Sequence, residues 1–126
     1  MLAKQLHHAS FPIRDLERSR RFYGGVLGLE EAPRPDLGFP GAWYRVGDGQ
    51  IHLLQTPPGV DVGSRPPTLN PMAPHTALAI DDYARVLAAL RSHGIEVLET
   101  APEIGQMWVQ DPDGNILELI APPAGR

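Results

Sequence analysis

The chain of 126 residues contains no cysteine, which excludes a disulfide framework and any metal site built on thiolates. No apolar run approaches the roughly 20 residues that a membrane span needs, and the N-terminus has no apolar leader region. Basic runs are missing as well, and the formal net charge is -4, so a nucleic-acid backbone is a poor partner. What is present is one domain's worth of chain, 42% hydrophobic, enough to bury a core. These features together predict a cytoplasmic protein whose partners are small molecules, with neither nucleic acid nor membrane.

The chain also contains a repeat. One stretch runs from His8 through Ile13, Asp15, Arg18 and Gly28 to His52, and a second from His75 through Ile80, Asp82, Arg85 and Gly94 to Glu118. The first four matches lie at an offset of 67 and the last two at 66, so the first and last donors of the two stretches stand 44 and 43 positions apart. Such a repeat constrains the whole fold more strongly than any single motif.

Each half reads as strand, helix, then strands. Residues 6–13 form an extended segment, and Asp15 is placed to cap a helix whose apolar stripe is Leu16, Phe22, Tyr23 and Val26, with Gly24, Gly25 and Gly28 as stops. In the second half residues 76–80 are the strand, Asp81 or Asp82 the cap, and Tyr83, Val86, Leu87 and Leu90 the stripe, with Gly94 just past its end. Two hairpins close the halves. Residues 42–46 and 50–56 flank Gly47-Asp48-Gly49, and residues 106–110 and 115–121 flank Asp111-Pro112-Asp113-Gly114. The 18 residues from Pro57 to Pro74 hold six prolines and read as a linker between module 1 (about 4–56) and module 2 (about 75–122) of a single domain. A second long loop spans residues 32–41.

Strand alternation sorts the candidate donors. His75, Ala77 and Ala79 share one face against Thr76, Leu78 and Ile80, and His8, Ser10 and Pro12 share one against Ala9, Phe11 and Ile13. The bulky face suits packing on a helix, the small face the wall of a cavity. Glu118 shares its face with Ile116 and Ile120, a costly setting for a carboxylate without a positive partner. A bound cation supplies that partner. Donors at corresponding ends of matching halves, His8 and His52 in one and His75 and Glu118 in the other, point to a shared metal site. His7, opposite in alternation to His8, and His93, at a helix end, read as ordinary surface histidines.

The pattern His8-x5-Arg14-Asp15-Leu16-Glu17-Arg18-Ser19-x2-Phe22-Tyr23-x3-Leu27-Gly28, followed by Gly49-Gln50-Ile51-His52-Leu53, His75 and Asp111-Pro112-Asp113-Gly114-Asn115-x2-Glu118, resembles the vicinal oxygen chelate superfamily. That group contains glyoxalase I, bleomycin and fosfomycin resistance proteins, and extradiol dioxygenases. The resemblance covers nearly the whole chain. It implies an α+β fold of two βαβββ modules whose sheets form an open barrel around one divalent metal (zinc, nickel, manganese or iron), helices outside, and a homodimer. It places the ligands at His8, His75 and Glu118, with His52 at the fourth position, which glyoxalase I-like members usually fill with glutamate. Phe39-Pro40-Gly41-Ala42-Trp43 and Ile51-His52-Leu53-Leu54-Gln55 resemble the glyoxalase-like branch. Imidazole is a good ligand for all of these metals, so the swap at 52 preserves ligation but removes one anionic donor.

A second departure concerns substrate. Glutathione-using glyoxalases commonly carry an arginine four residues after the first ligand and a polar amide four after the second. Those positions are Pro12 and Thr56. The resemblance thus implies a glyoxalase-like lyase or isomerase that chelates two neighbouring substrate oxygens, forms an enediolate-type anion and uses Glu118 as base, but not the glutathione reaction itself. Two alternatives stand beside it. In a three-ligand site of His8, His75 and Glu118, suited to ferrous iron and extradiol ring cleavage, His52 acts outside the ligand set; in a bleomycin-resistance-type binder the cavity sequesters a drug without chemistry.

Overall fold

The computed structural model describes residues 1–122, and the chain divides between Gly63 and Ser64 into two compact units. Each unit holds one βαβββ module. In the first, β1 (His8–Ile13) leads into α1 (Leu16–Arg20) and its π-helical continuation (Arg21–Val26), then β2 (Glu30–Ala32), β3 (Gly41–Val46) and β4 (Gly49–Gln55). The second follows with β5 (His75–Ala79), α2 (Tyr83–Ser92), β6 (Leu98–Ala101), a 3-10 turn (Pro102–Ile104), β7 (Gln106–Gln110) and β8 (Ile116–Ile120). The strand orders are β1-β4-β3-β2 and β5-β8-β7-β6. In both sheets the module's first and last strands pair in parallel and the remaining pairs are antiparallel. The expected α+β class and paired modules are both present. Among the described residues no helix is long and apolar enough to cross a membrane.

Local chemistry sets the helix boundaries. Asp15 and Asp82 are the N-caps, their carboxylates accepting the backbone N–H of Arg18 at 3.1 Å and of Arg85 at 3.0 Å. Each satisfies a donor the first helical turn would otherwise leave open. Gly28 and Gly94 follow the helix ends with φ of 72° and 73°, the left-handed backbone that glycine adopts without strain. Gly24 and Gly25 are not stops. The chain stays helical through both in a π-turn, with Leu27 N–H donating to the Phe22 carbonyl at 2.9 Å. Gly24 packs against Tyr44, where a Cβ would lie 3.4 Å from the hydroxyl, an ordinary contact distance.

One face of each sheet forms the core. In the first unit Phe11, Ile13, Ala42, Tyr44, Ile51 and Leu53 alternate inward and are buried together with Phe22 and Tyr23 of the helix. In the second, Leu78, Met107, Val109, Leu117 and Leu119 do the same, with Leu90 of α2 buried as well. Burying each such side chain contributes roughly 1.5–3 kcal/mol. The opposite faces carry His8, Ser10 and Pro12 on β1 and His75, Ala77 and Ala79 on β5, mostly exposed, as the alternation predicts.

Candidate metal centre

In the first unit the register sets His52 on β4 beside Ser10 of β1 and opposite Trp43 of β3. The His8 ring stacks on His52 with centroids 4.0 Å apart and planes 17° from parallel. Trp43, from the strand on the other side of β4, stacks at 4.3 Å and 8°. His52 is therefore held between an imidazole and an indole. Its Nε2 donates to Gln50 Oε1 at 2.8 Å, which leaves Nδ1 as the acceptor. Burial pushes the His52 pKa down, and the charges of His8, His7 and Arg34 act in the same direction. The imidazole is thus held in the neutral form that a metal requires.

A ring lone pair lies in the plane of its ring, and two nearly parallel stacked rings with centroids 4.0 Å apart have no common in-plane point about 2 Å from a nitrogen of each, the usual metal–nitrogen distance. Ligation by both His8 and His52 requires one ring to turn out of the stack. His7 stands with Nδ1 2.9 Å from His8 Nδ1. It does not point away from His8 as alternation implied, because β1 begins at His8 and the pleat does not extend to His7.

In the second unit Glu118 on β8 is in register with Ala77 of β5 and Trp108 of β7. Its residue is buried, and its Oε1 lies 3.5 Å from His75 Nε2. The other carboxylate oxygen accepts a hydrogen bond from Gln106 Nε2 at 3.1 Å. His75 Nδ1 donates to the Ala73 carbonyl at 2.9 Å, which leaves Nε2 as the ring nitrogen that faces the carboxylate. A proton on Nε2 or a bound cation can bridge the two. Two ligands about 2.1 Å from a tetrahedral ion stand roughly 3.4 Å apart, close to the separation found here. The carbonyl that fixes the His75 tautomer is the usual outer partner of a metal-binding histidine. Trp108 meets the His75 ring edge-on at 4.8 Å and is itself held by Nε1–H donation to Thr100 at 2.9 Å.

Each unit thus brings its two predicted donors together, and among the described residues no group of three or more histidine, aspartate or glutamate side chains gathers as a metal-holding cluster. Residues the sequence reading passed over are Trp108, Gln50, Gln106 and Arg34. The two tryptophans had a signal: both precede the second donor of their module by one hairpin, and both sit in register with it. Gln50 had one too, since it stands two residues before His52 on β4 and shares its face, whereas only the pairing of β7 with β8 brings the Gln106 amide to Glu118.

Two βαβββ modules carrying donors on matching strands define a vicinal oxygen chelate protein. The chain belongs to the Glyoxalase/Bleomycin resistance protein/Dioxygenase superfamily, whose model matches residues 5–119. It is 31% identical to Glyoxylase I 4 of Arabidopsis thaliana over 120 residues, 90% of this chain and 68% of that protein. It is also 31% identical to a lactoylglutathione lyase of Salmonella typhimurium over 135 aligned positions, 97% of this chain and 96% of that one. Among solved structures, a Bacillus anthracis protein assigned to the glyoxalase family shares the fold with a TM-score of 0.80 at 23% identity, covering 97% of this chain and 98% of that one. The fosfomycin resistance protein FosX of Mesorhizobium loti shares it at 0.72 and 22% (98% and 95% covered). TnmS3, an antibiotic binding protein of a Streptomyces species, shares it at 0.73 and 24% (97% and 98% covered).

Proposed function

We propose that this protein is a divalent-metal-dependent lyase or isomerase of the glyoxalase type, acting on a small substrate with vicinal oxygens through an enediolate-type anion. The observation that carries the reading is the pairing of His75 Nε2 with the buried Glu118 carboxylate at 3.5 Å, at corresponding ends of a module whose counterpart presents His8 and His52. In this reading the four residues hold one ion, which when bound supplies electrophilic polarisation to two neighbouring substrate oxygens. Glu118 removes the proton from the adjacent carbon, and the Gln106 amide orients its carboxylate from the outer side. Within each unit a tryptophan packs on a donor histidine, Trp43 on His52 and Trp108 on His75. The working form is a cytoplasmic homodimer.

The support from relatives is graded. A lactoylglutathione lyase among them favours this chemistry, while Pro12 and Thr56 at the positions of the glutathione anchors favour a different substrate. The His8–His52 stack, in which the two rings cannot reach one ion, supports the variant in which His52 stays outside the ligand set, as an iron-dependent dioxygenase would use it. The flat Trp43–His52–His8 stack supports a third reading, sequestration of a planar drug, and a protein of the same fold is an antibiotic binding protein. Elemental analysis of protein purified without chelators tests all three. Zinc, nickel or manganese bound through His75 sustains the proposal. Iron with oxygen-dependent ring cleavage moves it to the dioxygenase, and ligand binding unaffected by metal and by His75→Ala overturns it in favour of the binder.

A further inference from the structure

Arg34, in the loop between β2 and β3, carries a guanidinium with no carboxylate partner among the described residues. One Nη donates to the Phe39 carbonyl at 3.0 Å, the group lies 4.9 Å over the Phe39 ring, and Nε is buried without an acceptor. A half-buried cation compensated only by a carbonyl and an aromatic face is costly to maintain. Functional sites are where such cost is commonly found.

Its position is set by the repeat. Gln106 on β7 lies two residues before Trp108, faces Ile120 in register and sends its amide to Glu118. The corresponding place in the first unit, two residues before Trp43 and facing Leu54, is Gly41. A Cβ on Gly41 would lie 2.9 Å from Arg34 Nη2 and 3.0 Å from its Cζ, as well as 2.5 Å from the Leu53 carbonyl. The guanidinium therefore occupies the space that a side chain fills in the other module. Where unit two directs an amide at its donor pair, unit one directs a cation toward the side of the sheet that carries His52 and Trp43.

We propose that Arg34 binds an anionic group of the substrate, a carboxylate carried on the same small molecule beyond its two chelating oxygens. Arginine suits this because its planar fork can present two N–H groups to one carboxylate. Arg34 would replace the charge that Pro12 cannot offer, from a loop rather than from β1. The inference rests on the metal-chelate reading above for the position of the chelating oxygens, and not for the presence of the anion site.

The test uses matched 2-oxo acids, whose chelating ends are identical. 2-Oxoglutarate is compared with 2-oxovalerate, and 2-oxoadipate with 2-oxohexanoate, each titrated into cobalt-loaded protein and followed by cobalt absorption and calorimetry. The expected result is that at least one dicarboxylate binds about tenfold or more tightly than its monocarboxylate partner, the scale of a charge-assisted hydrogen bond. Arg34→Gln should abolish that preference with cobalt affinity and monocarboxylate binding unchanged, and Arg34→Lys should restore part of it. Equal binding within both pairs, or a preference that survives Arg34→Gln, overturns the proposal. The same titrations into metal-free protein separate the two claims. If cobalt does not bind but an Arg34-dependent dicarboxylate preference is present, the metal reading fails and this one holds. Absence of both defeats both.

Discussion

The Trp43 indole lies flat on the His52 imidazole at 4.3 Å with planes 8° apart, because the two residues face one another across β3 and β4. Trp108 has the same registry with Glu118, yet its ring meets His75 edge-on. The repeat has kept a tryptophan beside the second donor of each module while the donor changed from imidazole to carboxylate. Where the donor is a ring, stacking is available; where it is a carboxylate, the indole turns to the neighbouring histidine instead.

That stack predicts a spectroscopic signal. Since His8 and His52 as stacked cannot reach one ion, metal binding should turn a ring and change the surroundings of Trp43. In a Trp108→Phe background, titration with zinc should shift the Trp43 emission, and His52→Ala should remove the response. An emission unchanged at saturating zinc would mean that His52 stays in its stack and outside the ligand set.

Metal occupancy should depend on His75 more than on its surroundings. Removing a hydrogen-bonding partner of a ligand typically costs about 10–100-fold in affinity, and losing a ligand should cost more. His75→Ala is therefore expected to weaken zinc binding by more than about 100-fold in a competition assay with a chromophoric chelator. Equal affinity in this variant would exclude His75 from the site.

Glu118 and His52 should separate in their effects on turnover. Glu118→Gln retains an oxygen donor but no base, and loss of a positioned base costs roughly 10²–10⁴-fold in rate. His52→Ala should weaken metal binding but keep activity at saturating metal, since water can take the vacant place. Deuterium exchange at the substrate carbon measures both variants; exchange that survives in Glu118→Gln and vanishes in His52→Ala would reverse the assignment.

Glutathione should be a poor partner. Pro12 is paired with Leu54 in the parallel β1–β4 ladder and offers no cation, and Thr56 holds its backbone N–H on the Ile13 carbonyl at 3.1 Å. The methylglyoxal–glutathione adduct should turn over slowly, and a kcat/KM on the order of 10⁷ M⁻¹s⁻¹ would contradict this.

Stability should fall at alkaline pH through Tyr83. Burial raises its pKa to about 12, assisted by the hydrogen bond to Glu99 at 2.8 Å. The unfolded value is about 10, so the folded state favours the protonated phenol. The contribution is complete below about pH 10 and is lost as pH rises through about 12. Tyr83→Phe should be less stable than wild type at neutral pH by about 1 kcal/mol, with the gap closing across that window in urea titrations. A gap that stays constant would show that the phenol titrates normally.

Much of this architecture follows from sequence by itself. The period-2 pattern at His8–Ile13 and His75–Ile80, the aspartates ahead of each helix and the glycines after them fix strand, cap and stop by local sterics and hydrogen bonding, which need no partner strand. The internal match of His8 and His52 with His75 and Glu118 picks out the donors, because a repeat preserves position even where residue type changes. Other features were settled only when strands came together. Gly24 carries the same local signal as a terminating glycine, yet the helix runs on through it against Tyr44 of β3, distant in sequence. The Gln106–Glu118 contact, the turn of Trp43 against His52, and the occupation of the space above Gly41 by Arg34 depend on register and on which side chain fills a gap. Local sequence encodes the backbone's preferences; contacts between side chains far apart in the chain are decided by how the strands align.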